Sequence, residues 1–113
     1  MTIQRLVPLT AFGIALLAGG QEVAARDSHT GVINVYNLQG GIPGIPPDRG
    51  ACVATNPLIP GASPWACLYK NNALYEEFND LLRTAYMQRK TCTLGWARLD
   101  VNNHKLLDFI DCR

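Results

Sequence analysis

Four cysteines spread between Cys52 and Cys112, behind an N-terminal segment built like an export signal, constrain this chain more than any other feature. Met1 to Arg5 carries one positive charge, Leu6 to Ala18 is an apolar run, and Val23-Ala24-Ala25 stands where a signal peptidase cuts. Residues 1–25 are therefore expected to be a cleaved signal peptide, with the mature protein starting at Arg26. The apolar run is too short to remain as a membrane span, and Pro8 and Gly13 weaken it further. Leu16-Leu17-Ala18-Gly19 is followed by Gly20 rather than the cysteine that lipid attachment requires. The expected location is secreted or periplasmic, where four cysteines become two disulfides rather than free thiols. Neither cysteine gap has the close paired spacing of a zinc site or a redox motif.

Residues 26–113 suffice for one domain and no more. A core of that size needs covalent staples, and the cysteines supply them. Ten Lys and Arg stand against nine Asp and Glu, a net charge of +1 dispersed along the chain, which argues against a nucleic-acid or polybasic membrane partner.

Arg26 to Thr30 is polar and reads as a loose arm. Gly31 to Leu38 interleaves Val32, Ile33, Val35 and Tyr36 with Asn34 and Asn37, the pattern of a first strand. The glycines and prolines from Gly40 to Pro47 break regular structure and predict a long exposed loop. Ala51 to Ala54 and Trp65 to Tyr69 form the arms of a hairpin around a proline-rich loop, and Cys52 opposite Cys67 would staple it. Asn72 to Gln88 is a helix: Leu74, Phe78, Leu81, Leu82 and Ala85 fall on one stripe, with Asn71 or Asn72 as the cap. Its other face, with Asn79, Asp80, Arg83 and Thr84, is expected to be solvated. Thr91 to Leu99 and Lys105 to Cys112 form a second hairpin. Setting Leu99 against Lys105 also sets Leu94 against Ile110 and Cys92 against Cys112, so one register satisfies an apolar pair and a disulfide. The pairing Cys52 with Cys67 and Cys92 with Cys112 follows.

Three strands, a helix and two strands is the element order of an OB-fold, a five-stranded Greek-key barrel with its helix between strands 3 and 4. A meander with a helix on one face is the alternative. No catalytic constellation is present: His29 and His104 lack a cysteine or carboxylate at catalytic or ligand spacing, and no nucleotide, hydrolase-elbow or metalloprotease motif occurs. No enzyme, cofactor or metal is expected. Trp65, Trp96, Tyr36 and Tyr69 are read as core, with sugar stacking as the other use of such rings.

Thr30-Gly31-Val32-Ile33, Cys52-Val53, Cys67-Leu68-Tyr69-Lys70-Asn71 and the helix ending Leu81-Leu82-Arg83-Thr84-Ala85-Tyr86 resemble the B subunits of subtilase cytotoxin and pertussis-like toxins. The resemblance spans Arg26 to Leu99. It implies an exported OB-fold that assembles as a homopentamer, binds cell-surface glycans, sialylated ones among them, and docks a toxin A subunit. It also implies that Thr30 holds the position of a hydroxyl residue that contacts the sialic acid carboxylate. Ala54 and Asn56 stand where polar residues line the family's sugar site. The alternative function is a stand-alone secreted or periplasmic interaction domain, an inhibitor or envelope factor, with no sugar chemistry.

Overall fold

The computed structural model describes residues 26–41 and 43–113, so the expected signal peptide lies outside the described residues. Strand β1 (Asp27–Leu38) leads into β2 (Arg49–Asn56), β3 (Ala66–Tyr69), helix α1 (Tyr75–Gln88), β4 (Thr91–Leu99) and β5 (Lys105–Cys112). The strands close into a barrel in the order β1-β2-β3-β5-β4, with β3 and β5 parallel and the other pairings antiparallel. This is the expected OB-like architecture, with the helix between β3 and β4, and the meander is set aside.

Strand β1 is longer than its sequence suggests. Asp27 to Thr30, read above as a loose arm, pairs residue for residue with Trp96 to Thr93 of β4. Alternation of apolar residues marks a strand only where one face is buried. Asp27, Ser28 and Thr30 are exposed, so this half of β1 carried no such signal. The strand changes partners at Val32, which pairs with Thr91 on one side and Asn56 on the other. Gly31 sits at the crossing: a Cβ there would lie 3.0 Å from the Asn56 carbonyl oxygen and 3.2 Å from Thr55 Cβ. Glycine permits the close approach that closes the barrel.

Both disulfides connect the expected partners, Cys52 with Cys67 across β2 and β3, and Cys92 with Cys112 across β4 and β5. The last hairpin keeps Leu99 opposite Lys105, Leu94 opposite Ile110 and Cys92 opposite Cys112. Between them the ladder slips by one residue, where Trp96 meets Leu107, and then returns. Ile33, Val53, Leu68, Leu82, Leu94 and Trp96 form the centre of the core. Ile59, in the proline-rich loop between β2 and β3, is only 2% exposed and joins that core, so the loop packs back onto the barrel.

The helix starts at Tyr75 rather than Asn72. Asn72 organises the turn before it: its carbonyl accepts from the Tyr75 N–H and its side-chain oxygen from the Leu74 N–H. Leu74 thus lies outside the first turn and is 49% exposed, whereas Leu82 and Ala85 are buried and Phe78 and Leu81 pack half-buried against the core. Asn79 belongs to the packed side, not the solvated one. It accepts a 2.5 Å hydrogen bond from the Tyr36 hydroxyl, and the Tyr36 ring stacks on Tyr86. Tyr75 covers Gly50 so closely that an added Cβ would lie 2.6 and 2.8 Å from its ring carbons. Gly50→Ala is expected to destabilise the domain by about 1–3 kcal/mol through overpacking. Chemical denaturation checks this, and an unchanged midpoint would show that the ring moves aside freely.

Candidate functional site

A charged residue enters the barrel at Arg49, the first residue of β2. Its side chain is 2% exposed and faces Asp100, the residue that follows β4, whose side chain is 4% exposed. Two buried charges are tolerated when paired and hydrogen-bonded, and of these two side chains only the Arg49 Nε is left without a partner. Arg49 Nη2 donates to Asp100 Oδ2 at 2.6 Å and to Asn102 Oδ1 at 2.7 Å. The Tyr69 hydroxyl, from the end of β3, donates to the same Asp100 oxygen at 2.8 Å. Asp100 Oδ1 accepts the backbone N–H groups of Asn102 and His104 at 2.8 and 3.0 Å. The carboxylate thus winds the β4–β5 turn around itself, an Asx-type use of aspartate, and Asn103 takes the left-handed conformation this turn needs. Arg49 Nη1 also reaches Gln39 Oε1 at 3.4 Å, which ties in the stem of the β1–β2 loop.

Burial pushes the Asp100 carboxyl up, but hydrogen bonds from Tyr69, the Asn102 amide, Arg49 and the His104 amide outweigh it and hold the group below the usual carboxylate value. Burial raises the Tyr69 phenol, and its hydrogen bond to Asp100 adds to the rise. At neutral pH the network is therefore an arginine cation, an aspartate anion and a neutral phenol, each engaged with the others.

Above this fixed network lies a cleft of about 610 Å³. Pro46 of the β1–β2 loop, Tyr69 at the end of β3, Asn71 just after it, Arg98 near the end of β4 and Val101 within the β4–β5 turn all line it. In OB-folds the β1–β2 and β4–β5 loops border the face that holds oligomeric ligands. The volume falls within the usual range for a small-molecule site. Asn71, Asn72, Arg98 and Asp108 bring hydrogen-bonding groups to its lining, and Leu99 and Leu106 bring apolar surface. Arg98 takes part in none of the four ion pairs among the described residues.

Thr30, Ala54 and Asn56 lie elsewhere. Thr30 is exposed on β1 opposite Thr93 of β4, and the two hydroxyls share a 2.8 Å hydrogen bond. Asn56 ends β2 as an exposed residue opposite Val32, and Ala54 is buried opposite Val35. Thr93 and Arg98 are five residues apart on β4, so the Thr30 face and the cleft are roughly 16 Å apart along the strand. The structure thus brings together Tyr69, Asn71, Arg98 and Asp100, a set that the sequence did not single out. An Asp opening a turn of the form Asp-Val-Asn-Asn-His, and an Arg beside the apolar run of β2, were the signals available.

The histidines are tied down rather than free. His29 Nε2 lies 2.8 Å from the Pro57 carbonyl oxygen and 3.1 Å from Thr55 Oγ1, and His104 Nδ1 lies 2.6 Å from Ser63 Oγ. Among the described residues no cluster of three or more His, Cys, Asp or Glu is placed to hold a metal ion, and no helix is long and apolar enough to cross a membrane. The chain matches no family model, no curated protein and no solved structure.

Proposed function

We propose that this protein is an exported glycan-binding domain of the kind that toxin B subunits represent, with the cleft beside the Arg49–Asp100 pair as its sugar site. The observation that carries the reading is the lining of that cleft. Amide, guanidinium and carboxylate groups line it together with leucine surfaces, and the hydroxyls and C–H faces of a pyranose can use both. A net charge of +1 dispersed along the chain offers no basic track for an oligonucleotide, the other common ligand of OB-folds. The two disulfides suit a domain that works outside the cytoplasm.

The resemblance of Thr30-Gly31-Val32-Ile33 to toxin B subunits supports a second contact at Thr30, where the paired hydroxyls of Thr30 and Thr93 face outward with Asn56 on the adjoining strand. It likewise supports a homopentamer and a toxin A subunit as partner. A second reading, a stand-alone protein-interaction domain, draws on Val101, which is 82% exposed at the rim of the cleft.

A glycan array probed with the oxidised protein tests the proposal. Binding to a defined set of sugars is expected. Asn71→Ala and Arg98→Ala are expected to weaken it by about tenfold each, the worth of one well-made polar contact, with little change in melting temperature because both residues are exposed. If Thr30→Ala alone abolishes binding, the site is the β1–β4 face and not the cleft. An empty array, with a protein partner that Val101→Asp disrupts, would replace sugar binding by the second reading.

A further inference from the structure

Lys105, the first residue of β5, is 3% exposed. Its ammonium donates to the Ser63 carbonyl and lies 6.0 Å from the centre of the Trp96 ring. The ion pairs among the described residues join Arg26 to Asp108, Arg49 to Asp100, Arg83 to Asp80 and Arg113 to Asp111, and none includes Lys105. An ammonium has three N–H donors, and one carbonyl and one ring do not match the anionic partner that a buried cation calls for. Burial accordingly pushes the Lys105 pKa down.

This lysine lines a groove of about 330 Å³ that shares Leu99, and no other lining residue, with the cleft. The groove has apolar surfaces from Trp96, Pro60 and Ala62, and one hydroxyl, Ser28. Gly61 lies over the ammonium. A Cβ there would be 3.0 Å from Nζ, and the φ of +111° at this residue is one that glycine adopts without strain, so no side chain of residue 61 stands against the charge. Asp27 also lines the groove, and its carboxylate repels an anion in proportion to the anion's charge, which favours a singly charged ligand over a multiply charged one.

We propose that this groove binds a small monocarboxylate with an apolar body, its carboxylate paired with the Lys105 ammonium and its body against Trp96 and Pro60. The volume is at the lower end for a ligand site and fits an acid the size of a single ring or a short branched chain. The site is separate from the cleft and does not depend on the glycan reading.

Titration of the oxidised protein with benzoate, followed by two-dimensional amide NMR, tests the proposal. Saturable shifts are expected at Ser28, Gly61 and Lys105. Benzamide, the neutral isostere, is expected to bind at least about tenfold more weakly, the worth of a charge-assisted hydrogen bond. Lys105→Met is expected to remove benzoate binding. Because loss of a buried lysine can also disturb folding, Ala62→Glu serves as the second variant: it places a tethered carboxylate at an exposed position on the groove and is expected to exclude benzoate from an intact fold. Absence of saturation, equal binding of benzamide, inorganic phosphate as good a ligand as benzoate, or benzoate binding retained in Ala62→Glu would each overturn the proposal.

Discussion

Asp100→Ala is expected to lower the unfolding free energy by about 3–5 kcal/mol, the usual result of stripping one partner from a buried ion pair. The loss is large because four donors converge on this carboxylate. Without it Arg49 stays buried with an uncompensated charge, and the Tyr69 hydroxyl and the Asn102 and His104 amides lose their acceptor. For a domain of this size the corresponding fall in melting temperature is on the order of 20 °C. Replacing both partners by apolar residues, Arg49→Met with Asp100→Leu, is expected to recover a good part of the loss, since removing both charges also removes their desolvation cost. Thermal and denaturant unfolding of Arg49→Met, Asp100→Leu and the double variant measure this. Additive losses in the double variant would mean that the two side chains do not act as a pair. The pH dependence follows from the same residue. The folded-state pKa of Asp100 lies below its value in the unfolded chain, so its contribution is fully present above the ordinary value of 3.8 and is lost as the pH falls through the folded value. Asp100→Asn should therefore flatten the acid limb of the stability curve below about pH 4.

Removal of the Cys92–Cys112 disulfide, as Cys92→Ala with Cys112→Ala, is expected to cost about 3 kcal/mol, from the loop-closure entropy of a crosslink that spans 20 residues. This disulfide ties the two ends of the last hairpin at the point where β4 leaves the helix, and Cys92 also packs in the core. A fall in melting temperature on the order of 15 °C is the expected reading, a large share of a small domain's margin. A change of only a few degrees would show that the barrel's hydrogen-bonded closure, and not the crosslink, holds the β4–β5 pair.

The features that could be read in advance were those with a short-range signature. The register of the last hairpin was legible because Leu94, Cys92 and Leu99 meet Ile110, Cys112 and Lys105 in one alignment across a short turn. The barrel's strand order came with the element order. The first half of β1 was not legible, since its pairing with β4 is long-range and its exposed Asp27, Ser28 and Thr30 leave no alternation of buried residues. Ile59 stood in a proline-rich loop whose composition says exposed, yet its side chain fills space under the barrel. The cleft was invisible for a related reason. Arg49 and Asp100 are 51 residues apart, and each alone reads as a solvated surface charge. Only barrel closure makes them a buried pair, and the same closure brings Asn71, Arg98 and Val101 to one opening. Thr30, the residue the resemblance pointed to, is exposed as its position implied, but its hydroxyl is already shared with Thr93 and it lies away from the cleft.

Whether a sugar binds in the cleft over the Arg49–Asp100 pair is decided by two-dimensional amide NMR of the oxidised protein, titrated with the best sugar from the array. Saturable shifts are expected at Asn71, Asn72, Arg98 and Val101, with or without a shift at Thr30. Shifts confined to Thr30, Thr93 and Asn56, or none at all, would rule the cleft out as the sugar site.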